Sequence, residues 1–326
     1  MTSHALPSPV LPTRFTSTFG VTHPILLAPM GGATDAALAV AVSSAGGLGS
    51  FGAMHPRWPD AWVAQQIAEI RASTDRPFAV GFNINFLPLM EPRFNMALEV
   101  EVPVVMLSFG DPKPWIDRAH TAEARVICQV QTPSHARAAV DAGADALVVQ
   151  GNEAGGHTGA MGLLPLLDTV LEWGVDLPVL ASGGIASGRT LAAVLTMGAD
   201  GACIGTALLA SQEASPAHPS TKDLITASDG SDTVWTSSFD IALGWRFPDG
   251  IRVRAHANAF TREWEGREDQ LRARRSDIGA TVDNADADRA LVMYGQSAAA
   301  VTAVRPVAEI IHDLVERAAG HLRSRP

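Results

Sequence analysis

A closed (β/α)8 barrel, with an added helical region inserted between its eighth strand and its last helix, is the fold class this sequence predicts. Three observations carry the prediction. Eight short apolar runs recur along the first two thirds of the chain, each is followed by a segment with helix punctuation, and the density of charge changes after residue 210. The runs are continuously apolar rather than alternating, the pattern of parallel strands covered on both faces by helices. A length of 326 residues suits one such barrel with an insertion.

The eight runs are Pro24–Met30, Gly47–Phe51, Phe78–Ile84, Val104–Phe109, Arg125–Val130, Ala146–Gln150, Pro178–Ser182 and Gly201–Gly205. Between them, Ser134 reads as an N-cap and Gly143 as a stop for one helix, and Ser187 and Gly198 bracket another in the same way. Two helix ends rhyme: Gly143-Ala-Asp and Gly198-Ala-Asp each lead into a strand. This weak internal repeat fits stacked βα units and not a solenoid.

Of the charged residues, 27 fall among the first 210 positions and 31 among the remaining 116. We therefore expect a barrel over residues 1–210, an inserted helical or lid region over 211–292 beginning near Ser215-Pro-Ala-His-Pro-Ser, and a return segment over 293–326. In that return segment Val307–Val315 is apolar at helical spacing and would close the barrel.

A formal net charge of −10 disfavours nucleic acid and anionic membranes as partners and leaves small molecules. There is no spanning run of ~20 apolar residues, and the first residues, MTSHALPSPVLPTRF, have no basic start followed by an apolar stretch, so a cytoplasmic location is expected. Cys128 and Cys203 sit inside apolar strand-like runs and read as buried thiols rather than a disulfide. The ten histidines show no metal-ligand spacing, so no metal is expected. Lys113 and Lys222, the only lysines, do not end a strand, which tells against Schiff-base chemistry. Gly47-Leu-Gly-Ser-Phe-Gly52 matches a dinucleotide fingerprint formally. Its glycines fall within a strand-like run, however, and Pro56 and Pro59 delay the next helix.

In a barrel of this kind active sites form at the C-terminal ends of the strands. The stretch GNEAGGHTG, Gly151 to Gly159, follows the sixth run, so His157 is expected over the barrel mouth as a catalytic residue, flanked by glycines that let a flat ligand approach the backbone. The seventh and eighth runs end in Ser182-Gly-Gly and Gly205-Thr206, where barrels cradle a phosphate on bare N–H groups, and Ser182 and Thr206 can add hydroxyls. A phosphate anchor beside a glycine-rich mouth suggests flavin mononucleotide. Ala28-Pro29-Met30 could lie along the ring edge, and Asn83, Gln129 and Gln150 offer amides at strand ends.

Ala28-Pro-Met-Gly-Gly, Ala45-Gly-Gly-Leu-Gly, Glu153-Ala-Gly-Gly-His-Thr-Gly, Ala181-Ser-Gly-Gly-Ile, Gly205-Thr and Tyr294-Gly-Gln together resemble the nitronate monooxygenase (2-nitropropane dioxygenase) family and its relatives, the flavin-dependent enoyl-acyl-carrier-protein reductases, over roughly residues 20–315. The resemblance implies an FMN barrel with His157 on the substrate side of the flavin. It also implies FMN contacts from Ala28, Pro29, Met30, Asn83, Gln129, Gln150, Ala154, Gly155, Ser182, Gly183, Gly184, Gly205 and Thr206. Gln129 stands where some members place a lysine and Gln150 where some have an acid, so this chain carries less charge near the ring.

The implied reaction is oxidation of an alkyl nitronate or nitroalkane by O2 to a carbonyl compound and nitrite. The alternatives are an NAD(P)H-dependent reductase of enoyl thioesters or quinones on the same scaffold, and a flavin-binding protein without turnover. Trp235, Phe239, Trp245 and Phe247 form either an apolar lid or the core of the added region, and a homodimer is a compatible assembly.

Overall fold

The computed structural model describes residues 10–55, 58–216, 218–283 and 286–324. Residues 1–9, Pro56 and Ala217, which carried parts of the reading above, lie outside that range. All eight apolar runs are strands. With the short β7 (Gly156–Thr158) numbered in chain order, the barrel strands are β1 (Ile25–Leu27), β2 (Gly49–Gly52), β3 (Phe78–Asn83), β4 (Val104–Ser108), β5 (Arg125–Val130), β6 (Ala146–Gln150), β8 (Val179–Ser182) and β9 (Gly201–Ile204). They pair in parallel in the order β1-β9-β8-β6-β5-β4-β3-β2. The ring closes through Leu26 and Leu48: Leu27 N–H donates to the Leu48 carbonyl at 2.9 Å and Leu48 N–H to that of Ile25 at 2.8 Å.

Alternate strand positions point inward, and Leu26, Ala79, Met106, Ile127, Val148, Leu180 and Cys203 pack there as one buried cluster. Phe15 and Phe19, on the helix Arg14–Phe19, join this cluster and stopper the N-terminal end of the barrel. Full burial of a phenylalanine such as Phe15 is worth roughly 2–3 kcal/mol. Arg14 fixes the stopper through two bonds to Asp200, at 2.8 and 3.0 Å. The Gly-Ala-Asp rhyme has a shared cause: the Asp145 carboxylate accepts Val126 N–H at 2.7 Å and the Asp200 carboxylate accepts Val179 N–H at 3.0 Å, so each aspartate caps the neighbouring strand near its start.

The helix over Pro133–Ala142 ends, as expected, at left-handed Gly143 (φ 92°). Its N-cap is Thr132, not Ser134. The Thr132 hydroxyl accepts His135 N–H at 3.1 Å, because Pro133 takes the first helical position and so places the cap two residues before Ser134. Ser187 and Gly198 do bracket the helix Gly188–Met197, with Ser187 and Thr190 in a capping box. The helix Val307–Arg323 packs between that helix and the one over Ala36–Ser44, the position of a barrel's eighth helix. The glycines of the formal fingerprint at 47–52 lie in and next to β2, and the following helix opens only at Asp60.

The added region is not purely helical. It contributes β10 (Thr233–Thr236) and β11 (Arg252–His256), which with β7 make a three-stranded antiparallel sheet in the order β10-β11-β7. Thr-Val-Trp-Thr is rich in β-branched and aromatic residues, and Arg-Val-Arg-Ala-His alternates with period two. Both are strand signals that the high charge of the region obscured. The four helices Ser238–Leu243, Ala259–Trp264, Glu268–Ala273 and Arg275–Asp283 surround a core of Phe239, Val253, Phe260, Trp264 and Leu271. Among the described residues no helix is long and apolar enough to cross a membrane.

Candidate active site

The stretch Gly151–Gly159 is not a loose loop. Residues 156–158 are β7, and Val253 of β11 pairs with His157. The turn before it is tied down at both ends: Asn152 N–H donates to the Met161 carbonyl at 2.8 Å, and the Glu153 carboxylate accepts Leu163 N–H at 3.1 Å. Most of its glycines serve close approach of protein rather than of ligand. A Cβ at Gly155 would lie 2.5 Å from the Tyr294 carbonyl carbon, one at Gly151 would lie 2.4 Å from Leu163 N, and one at Gly159 would lie 2.8 Å from Gln131 Cβ. Gly156 is bare for its φ of 77°.

This anchoring fixes His157. Its Nε2 lies 2.8 Å from the Asp240 carboxylate, the two side chains being 10% and 8% exposed. Its Nδ1 has no partner among the described residues. The imidazole lies flat on Phe247, with ring centroids 3.5 Å apart, while Phe109 meets it edge-on at 6.4 Å and Trp245 lies at 6.3 Å. Asp240 stands in the first turn of the helix Ser238–Leu243, where a carboxylate also complements the helix dipole.

One cavity of about 380 Å³ opens at the C-terminal ends of the barrel strands, and His157 and all thirteen of the other predicted site residues line it. Ala28, Pro29 and Met30 leave β1. Pro29 presses on Gly81 of β3, where a Cβ would come within 2.3 Å of the proline ring. The Asn83 side-chain oxygen accepts Asn85 N–H at 3.0 Å, and the Gln150 side-chain oxygen accepts the Gln131 amide at 3.1 Å. Both amides are thus partly engaged by the protein. The Gln129 side chain has no recorded protein hydrogen bond among the described residues.

The far end of the cavity has the character of an anion cradle. Gly183 and Gly184 adopt successive positive φ values of 105° and 69°, and no described protein group accepts the N–H of either one or of Ile185. Bare N–H groups in such a turn converge on a concavity suited to an anion. Gly205 precedes the short helix Thr206–Leu209, and the Thr206 hydroxyl accepts Gly295 N–H at 2.9 Å, tying this end to the Tyr294-Gly295 segment. The residues present fit the phosphate and flat ring of FMN: a nest of N–H groups at one end, amides at the strand ends, and open room beyond Gly184, where a Cβ would meet only Glu153 Cβ at 3.9 Å.

Several residues of the site were not expected from the sequence. Asp240 is one, because nothing in its local pattern links it to a histidine 83 positions away. Phe109 is another: it follows β4 with φ 62°, a left-handed conformation a bulky side chain rarely adopts. The third is the network behind Tyr294, whose hydroxyl donates to Asp232 at 2.8 Å and lies 2.8 Å from His256 Nδ1. Burial, then the Asp232 contact, push the Tyr294 phenol up, and burial pulls His256 down. Of the four aromatic residues expected to form either a lid or a core, Trp245 and Phe247 line the cavity. Phe239 belongs to that region's own core, and Trp235, on β10, carries the Arg252 guanidinium over its ring at 4.8 Å. Cys203 touches the cavity, but burial raises its thiol to about 12, which leaves it unreactive; the same holds for Cys128.

The family model of nitronate monooxygenase matches residues 13–93 and 84–317. Among solved structures, FabK from Thermotoga maritima is similar at 32% identity with a TM-score of 0.86, covering 96% of this chain and 98% of its own. Nitroalkane oxidase from Streptomyces ansochromogenes is similar at 30% identity with a TM-score of 0.80, covering 96% and 99%. A curated relative from Mycobacterium tuberculosis, (3aS,4S,5R,7aS)-5-hydroxy-7a-methyl-1-oxo-octahydro-1H-indene-4-carboxyl-CoA dehydrogenase, is 35% identical over 61% of this chain, and the match spans 56% of that relative's length. With its closed barrel, its glycine-lined anion cradle and a histidine at the mouth, the chain belongs to the nitronate monooxygenase family, a family of oxidoreductase enzymes.

Proposed function

We propose that this chain is an FMN-dependent oxidase of alkyl nitronates or nitroalkanes, using O2 and giving a carbonyl compound and nitrite. The observation that carries the reading is the His157–Asp240 pair set against a cavity whose far end is a nest of N–H groups. Gly183, Gly184, Ile185, Gly205 and Thr206 would hold the phosphate, Asn83, Gln129 and Gln150 the ribityl chain and ring, and Ala28–Met30 the ring edge. When bound, FMN supplies the two-electron oxidation and passes the electrons to O2.

The chain's own residues supply placement and the proton. With Asp240 receiving the Nε2 proton in a hydrogen bond, Nδ1 carries the lone pair and accepts the α-proton of a neutral nitroalkane as general base. A reactant arriving as the nitronate anion needs no such transfer. His157 then serves as an imidazolium whose charge Asp240 balances, and it holds the anion by a charge-assisted hydrogen bond. Phe247 and Phe109 keep water from the ring, which strengthens both interactions.

The identity shared with a carboxyl-CoA dehydrogenase favours a second reading, a reductase or dehydrogenase acting on thioesters. Purified flavoprotein separates the two. Under nitrogen, bleaching of the flavin by ethyl nitronate and not by NADH supports the oxidase, and rapid bleaching by NADH supports the reductase. If His157→Ala changes no rate with any reactant, the protein binds flavin without turning over at this site.

A further inference from the structure

The reactant side of the cavity differs from the rest of its wall. Among the described residues that line the cavity there is no lysine, arginine, aspartate or glutamate; its ionisable groups are His55, His157, His218, Tyr294 and Cys203. Around His157 the wall is aromatic. Phe247 stacks on the imidazole, Phe109 and Phe86 meet Phe247 edge-on at 5.6 and 5.3 Å, and Met90 and Met293 line the same cavity. The charge in contact with the histidine is Asp240, which is negative and sits behind it.

The backbone adds an independent sign. Phe109 holds φ 62°, followed by Gly110 at φ 152°, so the chain is strained where β4 ends, and the result is a ring aimed at both His157 and Phe247. Strain of this kind on a bulky residue persists where the surroundings hold it, and it concentrates at ligand clamps. The segment that carries Phe247 lies between two left-handed glycines, Gly244 and Gly250, and is tied to the β3 end by a bond from the Asn85 amide to the Arg246 carbonyl.

Resting on the proposed nitronate chemistry, we infer that the reactant is a mononitronate or nitroalkane with an apolar alkyl or aryl body and no second negative charge, and that Phe109 and Phe247 select it. The single charge of the head meets the imidazole of His157, which has Asp240 behind it. A carboxylate at the other end of the molecule would find no lysine or arginine among the described lining residues, and against Phe109 and Phe247 it would lie on aromatic surface, where an unpaired anion is strongly disfavoured. Each further methylene buried on the same surface favours binding by about fourfold until the space is filled.

The test is a series of nitronates on the flavoprotein: ethyl, butyl, hexyl, 2-phenylethyl and 3-methylbutyl, with propionate 3-nitronate as the near-isostere of the last that carries a carboxylate. The expected result is a rise in kcat/KM of about fourfold per methylene over the first members, and a value for propionate 3-nitronate at least about 100-fold below its apolar isostere. Phe109→Gly should flatten the chain-length dependence while its thermal midpoint holds or rises, because glycine removes the strain. Calorimetric titration with neutral 1-nitro-3-methylbutane and with 3-nitropropionate reads the same preference without turnover. Tighter binding of the apolar compound with no turnover of any nitronate keeps this inference and sinks the proposed reaction. Equal or better binding or turnover of the carboxylate-bearing compound overturns the inference whatever the reaction.

Discussion

Replacing Asp240 by asparagine keeps the size of the side chain and an oxygen facing His157 Nε2, but removes its charge. The contact is 2.8 Å long and both side chains are about nine-tenths buried, so solvent screens it little. Taking charge centres at ~4 Å and an effective dielectric of about 20, the Coulomb energy lost is at most about 4 kcal/mol. Measured hydrogen bonds to charged groups lie nearer 1.5–3 kcal/mol, which is the better guide. That range corresponds to a fall of about 10- to 150-fold in kcat/KM. The loss should appear in kcat rather than KM, because the missing charge matters most when the imidazole carries the transferred proton. An asparagine turned to present its NH2 group would also impose the wrong tautomer on the ring and add to the loss. The assay is nitrite release from a neutral nitroalkane by flavin-loaded enzyme, with flavin content and thermal midpoint as controls that should change little. A D240N enzyme within threefold of the parent in kcat, or one altered only in KM, would refute the assignment of Asp240 as the group that orients and balances His157.

Three further outcomes follow from the same geometry. Gly184→Ala puts a Cβ on a residue at φ 69° with no steric obstacle in front of it, so its cost of roughly 1–2 kcal/mol is conformational; flavin retention on desalting should drop roughly tenfold, and full retention would separate this turn from the cofactor. Tyr294→Phe leaves His256 Nδ1 and Asp232 without their shared hydroxyl, a loss of about 1–2 kcal/mol that should lower the thermal midpoint by about 1.5–3 °C in calorimetry. His23 is buried and its ring is held below the ordinary histidine range by that burial, with His312 adding to it. The unfolded chain therefore binds the proton more readily, and stability should fall as pH drops below ~6.5 and level off below the folded value. In midpoint-against-pH scans His23→Asn should shrink that acid slope, and an unchanged slope would show that another group sets it.

The barrel was legible because continuous apolar runs and helix caps are local signals: eight runs gave eight strands, and Gly143, Ser187 and Gly198 punctuate helices where the pattern placed them. The added region was read less well, since short strands in a charged stretch register only weakly, and β10 and β11 complete their hydrogen bonds with each other and with β7, far away in sequence. The glycines around His157 were visible, but their purpose was not. Most of them admit Tyr294, Leu163 and Gln131, and only the folded chain shows which face of a glycine is filled by protein.

By itself the sequence determined the barrel, the strand ends at which a site would form, and the residue types gathered there, because each follows from periodicity, capping or a bare Cα within a few residues. The tertiary structure alone decided the partner of His157, the aromatic wall around it and the strained turn at Phe109. Those contacts join positions 48 to 138 residues apart, and no local preference specifies a pairing that exists only once the added region's sheet has closed over the mouth of the barrel.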